Sequence, residues 1–508
     1  MAPTYRGVLN QSTLAAVTAQ RLQERGPVIV MHTTPSWVWS LAEKFKIPAN
    51  RLSQPQEKIK LVQDFLSLEF GSNFPLIDLL SYGVGVHHAG LSDDVRALME
   101  WLFEENQLKF LVATTTIAQG VNFPVTGIVM ASHQYPYGND MPPEDFWNIA
   151  GRAGRVDHGS LGIVALVAEN ASKAELLRDF INKQESELNS ALILLATEAS
   201  TMLGDLKGIV YRYPEWSTFV QYLTHSYYQM GQPKEFADEI EQIMRGTFGF
   251  EKLRNQNSAL ANHLLEGIHS YAEYLQEPGQ PVKLVDSTGF SLQSIREVLF
   301  AVNREGIQSS MWNPESLFGP DNRDLQGMMG VLLRVPELRK SLEEVTGGRT
   351  SDGKKLALIV KDWVNGDSVP DIAARYFMKE GGDITTAMTT CGQNLFGKLT
   401  HTAAWGLGAL LSITGNDLPE EQFQSLKNLP SRVYYGVNDD AAIALRLLGV
   451  PRTAATPLAA SMDDILEQPL ENVRAQLRNM EEDKWNQALG RREGEIYRKV
   501  WRVLEGLE

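Results

Sequence analysis

The chain is almost without cysteine. Cys391 stands alone among 508 residues, which excludes an internal disulfide framework and any zinc site built from several thiolates, and suits a reducing, cytoplasmic setting. A single thiol reads as a small apolar residue rather than a nucleophile. Long apolar runs are missing too. No stretch approaches the ~20 residues needed to span a bilayer, and the opening Met-Ala-Pro-Thr-Tyr-Arg-Gly holds no apolar signal segment, so no membrane partner is expected. Positive charge is scarce: 47 Lys and Arg against 62 Asp and Glu leave a net charge of −15. Nucleic acid, if bound, must sit in a local groove rather than against a general basic coat. Low-complexity segments and internal repeats are absent. Residues 171–508 hold no metal-spaced histidines, nucleophile elbow or paired carboxylates, so nothing supports a separate enzyme there.

What is present is organised around residues 146–155, Phe-Trp-Asn-Ile-Ala-Gly-Arg-Ala-Gly-Arg. Pro142 and Pro143 followed by Glu144 and Asp145 make a helix start, since proline fits a first turn and carboxylates suit its positive end. On a continuing helix Arg152 and Arg155 would lie one turn apart on a single face. Two permanently charged guanidinium forks converging there suit a phosphate chain. Gly151 and Gly154 keep Cβ atoms clear of a close approach. Taken alone, the pair is equally compatible with two solvated arginines on a surface helix.

The context narrows that choice. Residues 108–112 and 127–131 are short apolar runs, each readable as a buried strand. Between them lies Ala-Thr-Thr-Thr-Ile-Ala-Gln-Gly-Val-Asn-Phe-Pro, residues 113–124. Hydroxyls at the carboxyl end of such a strand sit where open α/β sheets bind ligands. Residues 82–86 form another candidate strand ending in His-His-Ala-Gly-Leu, residues 87–91, and Ser92 can cap the helix that Asp93 and Asp94 begin.

These three segments resemble the fourth, fifth and sixth helicase motifs of superfamily two. The His-His-Ala-Gly-Leu and Gly-Val-Asn-Phe-Pro wording is similar to the Ski-like (superkiller-type) DExH group, and the likeness covers about residues 25–170. The sixth motif departs at Asn148, where the family usually carries glutamine, so the amide there is one methylene shorter. The resemblance implies that residues 1–170 are one RecA-like α/β domain, a parallel sheet with helices on both faces. It implies ATP and Mg2+ as cofactors, with Arg155 as an arginine finger, Arg152 beside it, and Gly120, Asn122, Asn148 and Gly151 at the nucleotide edge. It also places Thr114, Thr116, His88 and Ser92 on a nucleic-acid backbone, single-stranded or tailed DNA or RNA.

A complete motor of this kind needs a phosphate-cradling lysine loop and a magnesium carboxylate in a first RecA-like domain. Only 26 residues precede the first strand, too few for such a domain. The metal-holding P-loop and DExH half is therefore expected from a separate chain or a missing segment. Residues 348–355, Gly-Arg-Thr-Ser-Asp-Gly-Lys-Lys, nearly spell a P-loop, but Lys355 stands where a hydroxyl must hold magnesium and a helical pattern, not a strand, precedes it. Asp238-Glu239-Ile240 lacks a preceding strand and is no DExH box.

The rest reads as a mainly α-helical accessory region, divided into residues 171–345 and 346–508. An aromatic-dense stretch, residues 211–228, fits a packed core better than a base-stacking surface. Helical patterns over 356–364 and 368–377 form an ordinary helical hairpin, with Ser368 and Asp371 as a capping box. Residues 449–453 loosely resemble a helix-hairpin-helix turn, whose amides hold a backbone phosphate, although Pro451 removes one donor. From Glu471 eight cations balance eight anions. The expected function is an ATP-dependent nucleic-acid helicase or translocase, with this chain as the second motor domain and not hydrolysing ATP alone. The alternative is a non-catalytic adaptor that uses an inherited motor domain as a binding surface.

Overall fold

The computed structural model describes residues 10–54, 56–118, 125–135, 141, 143–151, 162–182, 191–347, 353–415 and 418–507. Strands occur early. β1 (Val28–Met31), β2 (Val84–His87), β3 (Phe110–Ala113), β4 (Gly127–Met130) and β5 (Ile163–Leu166) form one sheet in the order β2-β3-β1-β4-β5. Every pairing is parallel, and the registers bring Met31, His87, Ala113, Met130 and Leu166 level at the carboxyl edge. The first four strands are buried throughout. Such strands read as unbroken apolar runs because helices cover both faces.

The helices before, between and after them are α1 (Gln11–Gln23), α2 (Pro35–Glu43), α3 (Glu57–Phe70), α4 (Pro75–Leu80), α5 (Asp93–Glu104), α6 (Pro143–Ala150) and α7 (Ala171–Asn182). Phe45, just past α2, stacks on Phe110 of β3 at 4.2 Å, and α5 turns Val95, Leu98, Met99 and Leu102 into the core. The α1 to β1 turn needs Gly26: its φ is +144°, and a Cβ there would lie 2.4 Å from Thr126 Oγ1.

The chain makes two compact units that do not follow chain order. One comprises Met1–Glu187, Gly366–Gly397 and Val437–Glu508, the other Leu188–Asn365 and Lys398–Gly436. Where sequence suggested three consecutive stretches, the first unit thus takes helical segments from far along the chain onto its α/β core. The helices Gly353–Val364 and Val369–Tyr376 belong to different units, so they do not form one helical hairpin. The capping box does form: Asp371 N donates to Ser368 Oγ at 3.2 Å, and that hydroxyl donates to Asp371 Oδ2 at 2.6 Å. Residues 348–352, in the near P-loop, lie outside the described residues, between the helices Pro336–Thr346 and Gly353–Val364.

The segment resembling a helix-hairpin-helix joins Asp440–Leu447 to Arg452–Ala459. Its turn is spent internally. Gly449 N and Val450 N donate to Arg446 O and Leu445 O, and Pro451 has no N–H. Leu448 O accepts from Trp501 Nε1 at 2.8 Å, and Val450 O accepts from Arg446 Nη1 at 2.6 Å. The hairpin docks instead on the α/β core. Arg446 Nη1 donates to Asp94 Oδ2 at 2.9 Å with both side chains largely buried. Tyr497 donates to Glu69 at 2.9 Å, its ring edge-on to Phe65.

In the second unit every described element is helical. The Glu337 carboxylate accepts from Ser217 Oγ, Ser291 N and Ser294 Oγ at 2.5–2.9 Å, tying separate helices together. Of the aromatic stretch, Trp216 and Tyr227 are core, whereas Tyr211 and Tyr222 are exposed.

Removing one partner of a buried ion pair strands the other, at a cost of about 3–5 kcal/mol. Arg446→Met should therefore lower the urea midpoint of the first unit markedly. Adding Asp94→Asn to that variant should recover part of the loss, and equal midpoints for wild type and Arg446→Met would show the pair to be inert.

Candidate nucleotide and nucleic-acid edge

Parallel strands put all their outgoing loops on one edge, and here the ladder continues past the strands. His32 N donates to Ala113 O at 3.0 Å, Thr114 N to His87 O at 3.1 Å, and Ala131 N to Met31 O at 2.9 Å. The loop starts at His32, His88, Thr114 and Ser132 are thereby fixed side by side.

Thr114 is buried, with 5% exposure, and a single 3-10 turn, Thr115–Ala118, follows it. The side chain of Thr116, and Gly120 and Asn122 altogether, lie outside the described residues. The Thr115 hydroxyl lies within hydrogen-bond reach of Tyr135, which itself donates to Asp145 Oδ2 of α6 at 3.2 Å.

The two histidines at the carboxyl end of β2, His87 and His88, face inward. His87 Nε2 lies 2.8 Å from Glu100 Oε1. His88, 1% exposed, accepts from Gly90 N through Nδ1 at 3.0 Å, which leaves the proton on Nε2, a buried atom with no partner. Burial first, with the nearby His87 and Arg96 adding to it, pulls its pKa down to about 3, so at neutral pH it offers a neutral N–H rather than a cation. Ser92 Oγ caps α5 by accepting from Val95 N at 3.4 Å. The positive end of α5 is already met by Asp93 and Asp94. The described side chains of this loop thus offer a phosphate no cation.

The same loop is covered by a helix that sequence reading did not connect with it. A Cβ on Gly392, in the helix Ile384–Asn394, would lie 2.5 Å from Gly90 O, and one on Gly90 would lie 2.9 Å from Gln393 Cγ. Two backbones cross there with no room for side chains. The signal was a glycine inside an otherwise helical run, which marks a close approach, but nothing in sequence names its partner.

The described part of α6 runs to Ala150, with Gly151 N donating to Trp147 O at 2.9 Å. Arg152 and Arg155 lie outside the described residues. Asn148 and Gly151 are both exposed, while Phe146 is buried and edge-on to Phe180 of α7 at 5.3 Å. Among the described residues no group of three or more His, Cys, Asp and Glu could hold a metal ion. No described helix is long and apolar enough to cross a membrane.

An all-parallel five-stranded sheet with helices on both faces and its loops gathered on one edge fits the RecA-like α/β class. Residues 53–157 match the family model described as the helicase conserved C-terminal domain. The chain is 24% identical over 475 residues to the ATP-dependent DNA helicase Hel308 of Methanocella arvoryzae, covering 87% of this chain and 59% of the relative. It is 23% identical over 316 residues to the Hachiman protein HamB of Bacillus cereus, covering 59% of this chain and 27% of that one. It is also 23% identical over 301 residues to the exosome RNA helicase MTR4 of Mus musculus, covering 51% and 28%. Residues 53–157 thus carry a helicase conserved C-terminal domain, and the chain resembles superfamily two DExH helicases of the Ski-like group.

Two outcomes are expected. His88 is neutral in the fold but takes a proton near pH 6.5 when unfolded, so the unfolded state binds more protons as pH falls below that value and stability drops until about pH 3. His88→Asn should flatten the pH dependence of thermal unfolding in that window by roughly 1 kcal/mol per pH unit; an unchanged slope would show that the imidazole is accessible. Gly392→Ala should cost about 1–3 kcal/mol by overpacking and speed amide exchange at residues 89–91, whereas undisturbed exchange would contradict the backbone crossing.

Proposed function

We propose that this chain works as the second motor domain and C-terminal accessory region of an ATP-dependent nucleic-acid helicase or translocase. It would act with a P-loop and DExH-bearing first RecA-like domain from the same or another polypeptide. One observation carries the reading: the strand-to-loop transitions at His88 and Thr114 and the end of α6 lie within the residues, 53–157, that match the helicase C-terminal domain.

Asn148 and Gly151 suit a nucleotide edge because both are exposed rather than absorbed into the core. Gly120, Asn122, Asn148 and Gly151 would line the nucleotide, and Arg152 and Arg155 would approach its phosphates. ATP with Mg2+ supplies the phosphoanhydride and its charge-neutralising metal, the metal being held by the first domain. Arg155 would stabilise charge on the transferred phosphoryl group, with Arg152 positioning beside it. Thr114 and Thr116 would meet the nucleic-acid backbone. His88 and Ser92 would act through the loop they shape, since both are committed to internal hydrogen bonds. The strand, DNA or RNA, would be gripped and released as the cleft between the two domains closes and opens.

The adaptor reading draws support from the net charge of −15 and the inward-facing histidines, and one experiment separates the two. Combined with a P-loop half, the chain should give nucleic-acid-stimulated ATPase. Arg155→Ala should then cut turnover by about 10³-fold or more, the worth of an arginine finger, with ATP binding far less affected. Turnover that is unchanged in Arg155→Ala refutes the finger, and no turnover with any P-loop half favours the adaptor.

A further inference from the structure

The sheet order defines a place that the motor reading leaves unused. From β1 the chain runs toward β2 on one side of the sheet, and from β4 it runs toward β5 on the other. The loops leaving these adjacent strands therefore diverge, and a crevice opens between them; such a switch point is where open parallel sheets take ligands. A cavity of about 380 Å³ lies there, lined by residues following β1, residues following β4, the start of α1 and Glu169.

Its walls have a particular chemistry. Trp37 is 54% exposed, and its indole stacks against His32 at 5.7 Å and 17° between planes. Among the described residues lining the cavity none is a lysine or arginine. Burial pulls His32 down to about pKa 4, so it adds no positive charge at neutral pH. The one carboxylate, Glu169, accepts from Gln11 N at 2.9 Å and pairs with Lys173 at 3.2 Å. Thr33 Oγ1 donates to Gln134 O at 2.7 Å, pinning the two loops together. The cavity thus has an aromatic platform with hydroxyl, amide and carboxylate groups around it, and the lysine beside it, Lys173, is paired with Glu169.

We propose that this cavity receives a single unpaired nucleobase of the bound strand, stacked on the Trp37–His32 pair, with the sugar-phosphate backbone remaining outside. The proposal rests on the nucleic-acid reading above. A flat, uncharged, hydrogen-bonding ring is what an aromatic face with a polar rim accepts. Stacking tolerates any base, so the site grips without demanding a sequence.

The test is binding of a short single-stranded oligonucleotide, with and without one abasic residue scanned along it. Wild type should lose affinity at one abasic position. Trp37→Ala should weaken binding of the intact strand by roughly tenfold or more, lose nothing further at that position, and keep the wild-type salt dependence, since no phosphate contact is removed. Trp37→Phe should restore most of the affinity, which separates stacking from misfolding. Wild-type affinity in Trp37→Ala, or an equal loss on intact and abasic strands, overturns the base site alone. A wild-type chain that binds no strand overturns the nucleic-acid reading and this site together.

Discussion

The loop after β2 depends on residues that lie hundreds of positions away. Asp94, at the first turn of the helix this loop feeds, is paired with Arg446 across 352 positions of chain. Gly90 is crossed at backbone distance by Gly392. Burial pushes the Asp94 carboxyl up, and Arg446 opposes that shift. The pair holds because each charge would otherwise be stranded in a poor solvent. The loop with the strongest motif wording is therefore positioned by the C-terminal helices rather than left to find its own shape.

This constraint alters how the edge can meet a polyanion. In a chain with an excess of acidic residues, attraction has to be local. Among the described residues the loop after β2 supplies no cation, because His88 is neutral and α5 begins with two carboxylates. The described lining of the cavity between the β1 and β4 loops supplies none either. What these places offer is oriented amides, hydroxyls and an aromatic face, suited to shape and stacking more than to charge. Strong positive charge in the motifs belongs to Arg152 and Arg155, and the proposed chemistry concentrates there.

Much of the α/β core was legible beforehand. Four-residue apolar runs such as Val-Ile-Val-Met and Phe-Leu-Val-Ala announce fully buried parallel strands, and Ser92 and Ser368 announce helix starts, because those signals are local. The helical hairpin over 356–377 was misread for a related reason: a tight turn at Gly366 looks the same whether its helices pack together or enter different units. The hairpin at 449–453 resembled a phosphate-binding turn since its spacing is right, yet its amides close on their own helix and its faces bury Arg446 and Arg452.

Sequence by itself determined the class of domain, the order of its motifs and the residue types offered along one sheet edge, since each follows from periodicity and spacing over short stretches. Tertiary structure decided which of those groups face outward and which are spent on packing. It turned His88 inward, gave Trp37 an open platform, and brought Gly392 and Arg446 to a loop no local pattern connects with them. Burial and long-range pairing are properties of three-dimensional neighbours, and a glycine or an arginine in a helix does not state which neighbour it will meet.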